Sequence, residues 1–186
     1  MNEAQLKALL LADEDIYQIL SIIRGLKLSD TWLCAGTLRN FVWNHLSGKS
    51  AFDKETDIDV IFFDQTMSYD ETLAIEKSLK TAYPAYRWEL KNQAHMHCHS
   101  PNTKPYLNSC DAVSKYPERC TALSARLNHD GNLELFLPYG LEEVTQLTIR
   151  PTPHFLEDEE RMVLYHQRIA KKNWQEKWPQ LKVVSQ

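Results

Sequence analysis

Glu55-Thr56-Asp57-Ile58-Asp59-Val60-Ile61-Phe62-Phe63-Asp64 is the stretch on which the fold turns. β-Branched and aromatic residues dominate it and neither Gly nor Pro interrupts it, so it predicts a strand. Side chains at i and i+2 of a strand share a face, which puts Asp57 and Asp59 together, roughly 7 Å apart along the chain. Val60 to Phe63 are apolar on both faces, the pattern of a central strand covered on both sides. Two neighbouring carboxylates there repel each other and lose hydration. A hard divalent cation relieves both costs, and Mg²⁺ in particular takes one or two carboxylates together with substrate phosphates. Without a cation, the pair reads as two solvated acids at a strand start.

Working outward, the strand before it is Trp32-Leu33-Cys34-Ala35, which runs into Gly36-Thr37. An amphipathic helix is predicted next, from Leu38 to Leu46, with Leu38, Phe41, Val42 and Leu46 on one side. A strand, a glycine turn and a helix start form an anion site, because free backbone N–H groups and the helix dipole point outward there. Gly36 lets a phosphate approach the backbone, Thr37 offers a hydroxyl, and Arg39 offers a charged fork. An ordinary strand-to-helix turn has the same outline. Gly48-Lys49-Ser50 resembles the end of a phosphate loop but lacks the upstream glycine.

On the other side, Tyr69 to Tyr83 predicts a helix stopped by Pro84. Tyr86 to Lys91 predicts the next strand, with Glu89 between Trp88 and Leu90. His95, His97 and His99 alternate beside Cys98, an arrangement that could bind zinc, although no second cluster completes a tetrahedral set. Asn92 and Gln93 are amides suited to reading a base or sugar, or to capping a turn. Glu3 to Leu26 predicts two core-facing helices divided at Asp13, an N-cap residue, with Gly25 as the stop. A short helix from Ser109 to Lys115, capped by Ser109 or Asp111, precedes a hairpin of Cys120–Leu127 and Leu133–Leu137 turned at Asp130-Gly131. Leu141 to Leu147 predicts a short helix and Ile149 a brief strand. Glu157 to Trp178 predicts one long helix, acidic first and basic later, as the helix dipole favours. Its inner face is Met162, Tyr165, Ile169 and Trp174. Trp174 and Trp178 among Lys171, Lys172 and Lys177 either pack on the sheet or form a nucleic-acid patch.

The 186 residues suit one domain, 1–186, with a full core, since 43% are hydrophobic and no linker is rich in Pro, Gly or Ser. The net charge of -4 argues against a broad, non-specific grip on nucleic acid. The N-terminus lacks the basic-then-apolar order of a signal peptide, and no apolar run is long enough for a bilayer. Four cysteines without a CxxC motif suggest reduced thiols and a cytoplasmic location.

The order Gly36-Thr37, Asp57-Ile58-Asp59, Trp88-Glu89-Leu90 resembles the DNA polymerase β-like nucleotidyltransferase superfamily. Further stretches resemble one family of small bacterial nucleotidyltransferase-like proteins within it. They are Ala35 to Trp43, Asp57 to Val60, Lys91 to His97, Asp111 to Ser114, Pro117-Glu118, Ile149 to Pro153 and Trp178-Pro179. The resemblance implies an α+β fold, a mixed β-sheet with packed helices. It implies transfer of a nucleotidyl group from an NTP to an acceptor hydroxyl, on a small molecule, an RNA end or a protein, with release of pyrophosphate. Asp57, Asp59 and Glu89 would be the catalytic and Mg²⁺-binding carboxylates, with Glu89 completing the set as base. Gly36 and Thr37 would cradle the phosphates and Arg39 would neutralise charge. The superfamily has Ser or a second Gly where this chain has Thr37. Strand register decides whether Glu89 faces the pair, and Asp111 and Glu118 compete for the third position. A catalytically inactive nucleotide- or partner-binding module on the same fold is the alternative.

Overall fold

The computed structural model describes residues 1–184. In chain order the elements are α1 (Glu3–Ala12), α2 (Glu14–Gly25), β1 (Trp32–Cys34), α3 (Ala35–Leu46), β2 (Asp57–Phe62), α4 (Tyr69–Ala82) and β3 (Arg87–Asn92). There follow α5 (Ser109–Ser114), β4 (Ser124–Leu127), β5 (Leu133–Phe136), α6 (Glu142–Thr145), β6 (Thr148–Ile149), α7 (Pro153–Leu156), α8 (Glu159–Lys172) and β7 (Lys182–Val183). Single 3-10 turns occupy Gln93–His99, Arg119–Thr121 and Trp174–Glu176.

Five strands form one mixed sheet in the order β3-β2-β1-β4-β5. β2 and β3 are parallel, and the other pairs are antiparallel. The parallel pair is possible because α4 carries the chain back over the sheet between them. β6 and β7 pair separately, in parallel. This is the mixed α+β sheet with packed helices that the sequence predicts.

Alternation along β2 divides the molecule. Ile58, Val60 and Phe62 enter the main core with Leu33, Trp88 and Leu90, under residues of α1, α2 and α3. Asp57, Asp59 and Ile61 take the opposite face, where a smaller cluster of Trp32, Cys34, Ile61, Val113 and Ala122 covers the middle of the sheet. The rest of that face stays open and becomes the site.

Asp13 caps α2, its Oδ1 accepting from the Ile16 N–H at 3.0 Å, as predicted. Three local expectations are corrected. Asn108, not Ser109 or Asp111, caps α5 by accepting from the Asp111 N–H at 2.8 Å. Helix α3 begins at Ala35, so Gly36 and Thr37 form its first turn instead of a turn before it. The long helix expected over 157–178 is broken: Asn173 adopts φ 42° and ends α8, a left-handed conformation that asparagine tolerates.

Beyond that break, Trp174 and Trp178 pack on Trp43 with ring centroids 5.8 and 5.1 Å away. The Trp43 indole N–H donates to the Val144 carbonyl at 3.1 Å, and that of Trp178 donates to Asn44 Oδ1 at 3.0 Å. Trp174 and Trp178 are buried core residues and form no exposed nucleic-acid patch.

Candidate active site

The site is a cleft of about 460 Å³ on the open face of β2 and β3, a size suited to a small ligand. Ala35 opens it. Its φ of 52° lies in the left-handed region, which a side chain disfavours by about 1 kcal/mol, and it turns the chain sharply from β1 into α3. That turn brings the first N–H groups of α3 beside β2. The Gly36 N–H donates to Asp59 Oδ2 at 2.8 Å. A Cβ at residue 36 would sit 2.8 Å from that same oxygen, so only glycine allows this approach.

Asp57 and Asp59 share the face of β2 that lines the cleft. Asp59 lies opposite Glu89 in the parallel register, so the third acid also faces the cleft. Burial first, and then the charge of Glu89, pushes the Asp59 carboxyl above its ordinary range, against the pull of Lys91, Arg39 and the Gly36 N–H. Glu89 is held below its ordinary range, because Lys91 Nζ donates to its Oε2 at 2.8 Å. Burial opposes the charge on Lys91, but its hydrogen bond and ion pair with Glu89 more than offset that and raise it.

Thr37 is corrected. Its hydroxyl donates to the Asp57 carbonyl at 2.9 Å and accepts from the Asp59 N–H at 2.8 Å. It is buried and absent from the cleft lining, so it clips α3 to β2 and sets the acid pair from behind. Thr37→Val should cost about 2 kcal/mol by leaving the Asp59 N–H without a partner, measured by urea denaturation. An unchanged midpoint would show that the clip is dispensable.

Arg39 lines the cleft but is 4% exposed. Its guanidinium donates to Thr121 Oγ1 and to Asn40 Oδ1, both at 2.9 Å, and lies 4.2 Å from the Trp174 ring centre. Arg39 makes no ion pair with a carboxylate among the described residues. Burial lowers its affinity for the proton, and its charge acts on the cleft from a fixed position. The competing acids lie elsewhere. Asp111 pairs with Lys115 at 2.8 Å. Glu118 is fully buried and accepts from Arg168 at 2.6 Å.

Sequence reasoning missed most of the cationic wall: Lys91, Lys115, Arg168 and Lys172 join Arg39 around the cleft. Lys91 was legible, being two residues beyond Glu89 on the same strand face. The others arrive from α8 and the end of α5, which no local pattern links to β2. Lys91, Lys115 and Arg168 are ion-paired with Glu89, Asp111 and Glu118, whereas Arg39 and Lys172 have no ion pair among the described residues, so the wall keeps unneutralised positive charge that suits an anionic ligand.

Among the described residues no group of three or more His, Cys, Asp or Glu side chains is arranged to hold a metal ion. The donor chemistry nevertheless suits Mg²⁺, which needs only one or two carboxylates when substrate phosphates fill other positions. Asp57 and Asp59 meet that requirement from one strand face. The three imidazoles fall on a 3-10 turn, not a strand, so they diverge. His95 Nε2 contacts the Met67 carbonyl at 3.1 Å, His97 packs edge-on to Tyr106, and His99 borders the cleft.

Residues 21–183 match the model of a family described as nucleotidyltransferase. A solved structure described as revealing a CCA-adding enzyme head domain is 56% identical, with TM-score 0.94, and the match covers 100% of this chain and 97% of that one. A CCA-adding enzyme in apo form and one in complex with CTP are 11% and 13% identical, with TM-scores of 0.55 and 0.54, and share the fold. The match covers all of this chain but only 43% and 44% of theirs. No curated protein matches the chain.

Proposed function

The chain belongs to the nucleotidyltransferase family, and from that premise we propose that it moves an NMP from an NTP to an acceptor hydroxyl, releasing pyrophosphate. The observation that carries this reading is the Gly36 N–H hooked onto Asp59 beside Asp57, inside a cleft walled by cations. Asp57 and Asp59 would hold Mg²⁺, with Glu89 the third carboxylate of the set. The cation, when bound, would neutralise phosphate charge and make the acceptor hydroxyl more acidic.

The remaining work falls to the chain itself. Arg39, Lys91, Arg168 and Lys172 draw in and orient the triphosphate, whose charge then opposes theirs. Gly36 fixes the Asp59 carboxylate through its N–H, so the acid does not reorganise during reaction. Glu89 faces the acid pair across the parallel register and takes the acceptor's proton. The acceptor to try first is an RNA 3′-hydroxyl, given the relative described as a CCA-adding enzyme head domain. No described helix is long and apolar enough to cross a membrane. The four cysteines are free, which suits the reducing cytoplasm.

The experiment is pyrophosphate release from each of the four NTPs with Mg²⁺, using RNA ends and a cell extract as acceptor sources. Release above background is the expected result. The Lys91–Glu89 ion pair favours a second reading, an inactive nucleotide-binding module, because it occupies the proposed base. Saturable nucleotide binding without release from any acceptor would establish that reading in place of the first.

A further inference from the structure

The 3-10 turn Gln93–His99 leaves the C-terminal end of β3 and borders the cleft. Residues three apart eclipse one another on such a turn. Gln93, Met96 and His99 therefore form one stripe, and all three line the cleft.

Gln93 is the unusual member. As a residue it is only 3% exposed, its carboxamide has no hydrogen-bond partner among the described residues, and it lines the cleft. The preceding amide shows the contrast: Asn92 Oδ1 accepts from the Asp64 and Ala94 N–H groups and its Nδ2 donates to the Asp64 carbonyl. Its amide atoms are not among the buried polar atoms left without a partner, so they reach the solvent of the cleft, where they offer one donor group and one acceptor to a ligand. Met96 beside it is a polarizable thioether, suited to an aromatic ring.

Position agrees with chemistry. Gln93 lies four residues beyond Glu89 along β3, roughly 13 Å at strand spacing, with Lys91 between them. The acids and Gly36 occupy one end of the cleft and the amide the other, and a ribose-linked base reaches that far from its phosphates. We infer that the Gln93–Met96 edge is the nucleobase subsite of the cleft and that Gln93 determines which nucleotide is preferred. The inference rests on the nucleotidyl-transfer reading. There a nucleobase presents its hydrogen-bonding edge to the Gln93 carboxamide and one ring face to Met96.

The test is calorimetry on the full chain with ATP, CTP, GTP, UTP and inorganic tripolyphosphate, each with Mg²⁺. The native chain, Gln93→Leu and Gln93→Glu are compared. The native chain should bind one nucleotide at least tenfold more tightly than the weakest. Gln93→Leu should lose three- to tenfold for the preferred nucleotide and flatten the ranking. Gln93→Glu, which keeps the shape, loses the donor and adds a negative charge, should weaken binding of all four nucleotides and also reorder them. Tripolyphosphate should bind the native chain and Gln93→Leu equally, which also shows that this variant is folded.

A ranking that survives both substitutions overturns the subsite, as does a native chain indifferent to the base. A parallel loss of tripolyphosphate affinity in Gln93→Leu overturns it too, because Gln93 would then support the phosphate end or the fold. Failure of all five probes to bind the native chain overturns the nucleotide reading beneath it.

Discussion

Asp59→Asn should melt higher than the native chain at pH 7 in metal-free buffer and yet release pyrophosphate about 10³-fold more slowly. The loss reflects the several kcal/mol that a metal-held phosphate contributes to the transition state. The stability gain follows from linkage. Burial and Glu89 raise the Asp59 carboxyl in the folded chain above its unfolded value. Such a group stabilises the fold fully below its unfolded pKa, and that contribution is lost as pH rises through the folded pKa. At neutral pH the ionised side chain is therefore a liability that a neutral amide removes, while its oxygen still accepts from the Gly36 N–H. The advantage of the variant should shrink on acidification below the native Asp59 titration. Thermal melts across pH, with and without Mg²⁺, check both halves. A variant no more stable than native at pH 7 would show that the cost of burying this charge is offset elsewhere.

Gly36→Ala should reduce turnover about 10²-fold with a modest loss of stability. Its methyl group would meet Asp59 Oδ2 at 2.8 Å, closer than carbon and oxygen can sit, so the helix start or the carboxylate must move. Either movement breaks the Gly36 N–H bond to Asp59 and displaces a reacting group by a fraction of an ångström, and misplacement on that scale costs rates of this order. The distinguishing measurement is kcat against nucleotide affinity. Tripolyphosphate binding should persist, since the cationic wall is untouched. Full activity in the alanine variant would sever the glycine from the chemistry.

The sheet's acid strand was legible because periodicity two is a strong local signal, and Asp57, Asp59 and Glu89 were placed by it. Whether Glu89 faced Asp59 was not legible, since a one-residue shift of parallel register would have turned it to the core. The structure aligns the two. The partner of the Thr37 hydroxyl was not legible because it depends on which element packs behind it, and α3 starts three residues earlier than its apolar stripe implies. The break at Asn173 lay hidden inside a continuous amphipathic pattern, because one left-handed residue leaves that pattern intact. Arg168 and Lys172 reach the cleft from α8, and beyond the break Trp174 lines it while packing on Trp43, contacts between distant parts of the chain that no local pattern announces.

Trp174 belongs both to the aromatic trio and to the cleft wall, where the Arg39 guanidinium lies on its ring. An incoming polyanion that draws on Arg39 changes the electric field at that indole. Its neighbours at 5.8 Å and beyond pass excitation to it or receive it from it. Occupancy of the cleft should therefore alter the protein's own ultraviolet emission, an optical gauge that needs no attached dye and is read by titrating tripolyphosphate.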